Sequence, residues 1–289
     1  MTKIIESLPE VSANYKAMFV DLWGCVHNGH EPFLEAVAAL QHFRETGGIV
    51  VLVTNAPRHR KSVAEQLARI GVDETCWDTV ATSGDSARAA MFRGVVGEKV
   101  YFMGQPHDYS FFDPLKLVKN PVSITRVPLD QAEGIVCCGP TDPLADLSAH
   151  RGELLYAKQK GLKLLCANPD IVVDRGDVRE WCAGAVAKLY TEMGGESLYF
   201  GKPHPPIYDL ARRRLAEIAD VRDDQILCIG DGPQTDVRGA LGEDLDCLFI
   251  SGGLAAVETK TTRQPDAKAL ETYLADEKIS PRYTIGFLR

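Results

Sequence analysis

The sequence predicts an α/β fold: a parallel sheet covered by helices, with a second α/β region inserted into it. Three observations carry this expectation. Short apolar runs alternate with stretches of helical period, which is the pattern of βαβ units. Several of the runs stop on a polar residue: AMFV (17–20) on Asp21, IVVLV (49–53) on Thr54 and Asn55, and QILCIG (225–230) on Asp231. Between Asn55 and Lys202 a further set of such runs interrupts the first.

Each element has its own reason. After AMFV a helix is expected over about 32–46, with Pro32 in its first turn and Gly47 and Gly48 stopping it. After IVVLV comes a helix with Val63, Leu67 and Ile70 on one face and Gly71 past its end. VYFM (100–103), GIVCC (134–138) and KLLCA (163–167) are predicted strands, with helical stretches near 84–92, 143–160 and 182–193. A helix over about 205–219 follows FGKP, and CLFI (247–250) is one more strand after QILCIG. Near-continuous apolar runs suit parallel strands covered on both faces. The expected division is 1–78 plus 195–289 for the core, and 79–194 for the insertion.

Composition narrows the function classes. With 289 residues, 45% hydrophobic and 25% charged, the chain is an ordinary globular protein of one large domain or two. A net charge of −8 argues against nucleic acid as the main partner, because phosphate backbones recruit clustered Lys and Arg. The one dense basic cluster, 212–214, reads as the wet face of a helix. No apolar stretch approaches the ~20 residues of a membrane helix, and the polar N-terminus argues against a secretory leader. The eight cysteines (25, 76, 137, 138, 166, 182, 228 and 247) form no Cys-x-x-Cys and lie mostly in apolar runs. Buried free thiols in a reducing cytoplasm fit best, and a zinc site does not.

Strand ends of a parallel sheet share one edge, where ligands bind. Asp21, Thr54, Asn55 and Asp231, with Asp236 a turn further on and Lys202, would face one cleft there. Carboxylates that close repel each other unless protonated or neutralised. A hard divalent cation answers this, and Mg²⁺ commonly uses one or two carboxylates with a substrate phosphate. Thr54 and Lys202 would hold phosphate oxygens, and Asp21 would be left as a carboxylate nucleophile.

This set resembles the haloacid dehalogenase superfamily of aspartate-nucleophile hydrolases. The motifs stand in order as DLWG (21–24), VTN (53–55), GKP (201–203) and GDGPQTD (230–236). TSG (82–84), VYFMG (100–104), ANPD (167–170) and CAGA (182–185) are similar to segments of its NagD-like branch, which carries a class IIA α/β cap. The resemblance implies a Rossmann-like core with an inserted cap, and phosphatase action on a sugar phosphate or nucleotide. It implies that Asp21 attacks phosphorus, that Thr54 and Asn55 hold the phosphoryl group, and that Lys202 neutralises its charge. Asp21, Asp231, Asp236 and the backbone C=O of Trp23 would hold Mg²⁺, and Asp170 in the cap would contact substrate. The implied partner is a small phosphate ester, neither nucleic acid nor membrane, and a homodimer is compatible with it.

One position departs from the pattern. Phosphatases of this family carry an Asp two residues after the nucleophile, as leaving-group acid and then as base; here it is Trp23, a donor without acid–base chemistry. A slow phosphatase, a phosphotransferase, a weakly catalytic phosphate-binding or regulatory protein, or a dehalogenase-type hydrolase are the alternatives. His27, His30 and His204 are the candidate substitute acids, and His27 with His30 also makes a His-x-x-His pair. GDG (230–232) hints at a dinucleotide loop, but Thr235 stands where its third Gly is needed. Cys25 reads as a small buried hydrophobe, and Trp181 and Cys182 as packing at a helix start.

Overall fold

The computed structural model describes residues 2–114, 118–175 and 178–289. Along them run the strands β1 (Lys3–Ile4), β2 (Ala17–Val20), β3 (Ile49–Thr54), β4 (Thr79–Thr82), β5 (Lys99–Met103), β6 (Thr125–Arg126) and β7 (Gly134–Cys137). They continue as β8 (Lys163–Cys166), β9 (Val172–Arg175), β10 (Val178–Trp181), β11 (Glu196–Tyr199), β12 (Ile226–Gly230), β13 (Asp246–Ile250) and β14 (Tyr283–Ile285). A seven-stranded sheet has the order β1-β14-β13-β12-β2-β3-β4. Its pairings from β1 across to β3 are parallel. A five-stranded sheet, β11-β8-β7-β5-β6, is parallel throughout, and β9 with β10 makes an antiparallel pair.

The fold is α/β, as the apolar runs predict. Every residue of AMFV in β2 and of ILCIG in β12 is buried, as strands covered on both faces require. The helix Leu34–Glu45 turns Val37, Leu40 and Phe43 inward. It starts later than predicted because Phe33 keeps an extended backbone, so Pro32 lies outside the first turn. The helix expected over 143–160 is shorter, Arg151–Gln159. A 3₁₀ turn, Leu147–His150, precedes it, capped where the Asp146 carboxylate accepts from the Ser148 N–H at 2.7 Å. The basic cluster is a correction. Arg213 alone is exposed; Arg214 is buried and pairs with Glu217 at 3.6 Å, and Arg212 reaches Asp223 and Glu243. The apolar stems of arginine let such a side chain cover core.

The chain forms two compact units, Met1–Thr54 with Lys61–Ala81 and Lys202–Arg289, and Asn55–Arg60 with Thr82–Gly201. These boundaries differ from the expected 78/79 and 194/195. β11 pairs with β8, which carries its residues into the second unit. Asn55–Arg60 is tied there by Gly84 N–H to Ala56 C=O (3.0 Å), Thr82 Oγ1 to Arg58 C=O (2.7 Å) and Arg60 N–H to Asp85 Oδ2 (3.4 Å). The core of the second unit packs Ile135, Cys137, Leu154, Leu164, Val186 and Tyr190 together. Among the described residues, no helix is long and apolar enough to cross a membrane.

All eight cysteines are free and buried. Burial pushes the Cys76 thiol up to about 11 and the Cys137 thiol up to about 12. The thiolate is the reactive form, so native protein at neutral pH should be silent to Ellman's reagent over minutes. In guanidinium all eight thiols should titrate. Rapid reaction of two or more in the native state would contradict the buried placement.

Candidate active site

β12, β2 and β3 are neighbours in register, with Ile229 opposite Val20 and Val20 opposite Leu52. Asp21, Thr54 and Asp231 therefore leave the same edge of the sheet within two residues of those paired positions. All three are buried. The Asp21 N–H donates to the Ile229 C=O at 2.8 Å, which fixes the Asp21 backbone to β12.

Lys202 joins the carboxylates. Its Nζ donates to Asp21 Oδ1 at 2.5 Å and to Asp236 Oδ1 at 2.7 Å, with all three side chains nearly inaccessible. Its peptide bond to Pro203 is cis. Burial opposes the charge on Lys202, but Asp21 and then Asp236 outweigh it and hold its pKa above the usual lysine range. Asp236 sits in a π-helical turn, Pro233–Val237, a form that recurs at functional sites. Its Oδ2 accepts from the Gly232 N–H at 3.1 Å.

Asp231 is placed differently. Its Oδ2 accepts from the Leu254 N–H at 3.0 Å, and no Lys or Arg pairs with it among the described residues. Burial, then the charges of Asp21 and Asp236, raise its pKa well above the carboxylate range. The same burial pushes Asp236 up to about 6, with Lys202 pulling the other way. Gly24, at φ +71°, and Gly253 press on Asp231; a Cβ on either would collide with the carboxylate. The Gly253–Leu254 contact escaped the sequence reading, although the SGGL that follows β13 was its visible trace.

Ionised together, the three buried carboxylates would exceed the one ammonium by two negative charges, so the donor set fits a hard divalent cation. Ligand atoms of Asp21, Cys25 and Asp231 lie within 4.8 Å of one another. Burial, then Asp231, drives the Cys25 thiol far up, which keeps it protonated and leaves oxygen as the donor.

The other candidates fall as follows. Asn55 belongs to the second unit, where its Nδ2 donates to Asp170 Oδ1 at 2.8 Å. The Asp170 N–H donates to Asn168 Oδ1 at 3.0 Å, closing the ANPD turn. Asn55 and Asp170 thus form a pair that the sequence reading assigned to substrate without linking. Trp181 ends β10, half-exposed, and Cys182 is the buried cap of the helix Ala183–Glu192. His27 is buried and its Nδ1 accepts from the Gly29 N–H at 2.9 Å. Burial lowers its pKa to about 4 and lowers that of His204 as well. His30 is exposed.

The chain is a hydrolase by the families it matches: residues 18–116 fit haloacid dehalogenase-like hydrolase and 199–276 fit HAD-hydrolase-like. It belongs to the haloacid dehalogenase-like family, sharing 36% identity and a TM-score of 0.84 with a hydrolase of that family from Brucella suis 1330, over 99% of this chain and 100% of that one. An acid sugar phosphatase from Staphylococcus saprophyticus is 23% identical over 251 residues, covering 85% of this chain and 90% of its own. A glycerol phosphate phosphatase from Mycobacterium tuberculosis, solved with magnesium, has a TM-score of 0.63 and 24% identity over 84% of this chain and 70% of that one.

Proposed function

We propose that the protein is a Mg²⁺-dependent phosphatase that hydrolyses a small phosphomonoester, such as a sugar phosphate or nucleotide, through Asp21. The observation that supports it most is the Asp21–Lys202–Asp236 triad beside the buried carboxylate of Asp231. Asp21 is a carboxylate nucleophile held by an ammonium that also suits a phosphate oxygen. Thr54, one residue past the apolar run of β3, supplies a hydroxyl at the same sheet edge. Asn55 and Asp170, already paired, are the proposed substrate contacts of the second unit, which in this reading is the cap. Asp21, Asp231, Asp236 and the Trp23 C=O would hold Mg²⁺. When bound there, the ion offsets negative charge on the transferring phosphoryl group. The buried thiols support a reducing, cytoplasmic setting.

A screen of phosphate esters with EDTA-treated protein and added Mg²⁺ tests this. Turnover should require the metal, and Mg²⁺ at about 100 times its Kd should stabilise the fold by ~2.7 kcal/mol. Asp231→Ala should lose both effects together. Full activity in EDTA would instead favour displacement at carbon without metal. Mg²⁺ and phosphate binding with no turnover on any ester would favour the binding-protein reading, which Trp23 motivates.

A further inference from the structure

Trp181 closes β10 at the head of the helix Ala183–Glu192, in the second unit. Its N–H donates to the Pro143 C=O, and the next N–H, of Cys182, donates to the Ile171 C=O, both at 2.9 Å. Those bonds hold the chain at Leu144 and Ile171 beside the indole. Leu144 is 63% exposed, Ile171 40% and Trp181 37%. From Trp181 a stripe of helical period runs through Ala185, Lys188, Leu189 and Glu192. The stripe lines a groove of about 280 Å³ together with Ile171, and with Leu147, Ser148 and Arg151 from the segment that leads into the helix Arg151–Gln159. One turn beyond Arg151, on the same side of that helix, Leu155 is also exposed.

Apolar side chains grouped on one face mark a site of association. Tryptophan is among the residues that carry most of the binding energy at such sites.

Charge decides the occupant. Among the described residues that line the groove, the charged ones are Asp146, Arg151, Lys188 and Glu192. Their charges cancel, although the whole chain carries −8. Lys188 and Glu192 lie 4.0 Å apart, with both side chains exposed. Each flank of the groove therefore holds one charge of either sign. Two copies of an acidic chain repel through their net charge, and over this patch that repulsion is absent. A two-fold axis brings a patch against itself, and only a patch with both signs can then set each charge against its opposite. A strongly basic partner gains nothing from a neutral groove, and a membrane surface needs a cluster of Lys and Arg that the groove lacks. We propose that this face of the second unit joins two copies of the chain as a symmetric dimer, with Trp181 at its apolar centre and the four charges on its rim.

Sedimentation velocity on the full chain, over about 1–100 μM, tests this. The wild type should sediment as a species of twice the 31.7 kDa chain mass. Trp181→Glu sets a carboxylate at the apolar centre, and Lys188→Glu gives the helix flank two negative charges in place of a balanced pair. Each should weaken the dimer by ~10²-fold or more, the scale of like charges juxtaposed at an interface. Lys61→Glu alters the net charge by the same amount, in the first unit, where the side chain is exposed beside Glu65. It should leave the dimer intact. Circular dichroism melts accompany the variants. Lys188 lies on the wet side of its helix, so Lys188→Glu keeps the fold and decides the matter if Trp181→Glu does not fold. A wild type that stays monomeric at the highest concentration overturns the proposal. A dimer that survives both groove substitutions overturns it too, because the interface would lie elsewhere. Dissociation of Lys61→Glu along with Lys188→Glu would make the effect one of net charge and would equally sink it.

Discussion

Asp21→Asn should lower turnover on the order of 10⁴–10⁶-fold, the scale on which covalent nucleophiles fail when removed. Its fold should survive. The amide oxygen can still accept from Lys202, whose second bond, to Asp236 at 2.7 Å, is untouched. The substitution also removes one negative charge from a cluster that carries an excess, so the metal-free protein should melt no lower than wild type. The variant therefore separates chemistry from structure. A melting temperature that falls along with activity would mean that Asp21 is mainly structural.

Lys202→Ala should fail on both counts. Lys202 is 4% exposed and carries the ammonium that meets two buried carboxylates. Breaking a buried ion pair by removing one partner costs about 3–5 kcal/mol, because the other charge stays buried and unpaired. Here two partners are stranded beside Asp231, so the loss should sit at the upper end of that range, read by urea denaturation. Mg²⁺ should restore part of the stability, since it supplies positive charge to the same carboxylates, while phosphatase activity stays absent. Equal stability of wild type and variant in EDTA would show that the carboxylates relax by taking up protons.

The polar edge of the sheet was legible because its strands are continuous apolar runs that end on polar residues. AMFV, IVVLV and ILCIG have little choice but to be buried strands, and Asp21, Thr54 and Asp231 follow them directly. The edges were less legible. β11, ESLY, is partly exposed along its length, and β10 runs through VREW with no apolar face. Such strands are specified by pairing with a neighbour, and local pattern alone does not show that. Arg214 was misread for a related reason: adjacent arginines point in different directions around a helix, so one of three turns inward. The Asn55–Asp170 bond joins residues 115 apart in sequence, a pairing that spacing does not encode. His27 read as a candidate acid because nothing in DLWGCVHNGH announces that its Nδ1 will accept from the Gly29 N–H.

The order of strands in the seven-stranded sheet sets a timetable for synthesis. β2, which carries Asp21, is flanked by β3 and by β12, and β12 begins only at Ile226. β13 and β14 follow later still, and β1 waits for β14. The strands of the five-stranded sheet, by contrast, all fall between Lys99 and Tyr199. On a ribosome the second unit can collapse while AMFV still lacks its late partner β12. That strand, buried along its whole length in the folded protein, spends the interval with one edge unpaired, the condition in which nascent chains aggregate or recruit chaperones. Asp231 and Asp236 emerge only after β12, so the nascent chain completes the polar edge of this sheet as one of its last acts of folding.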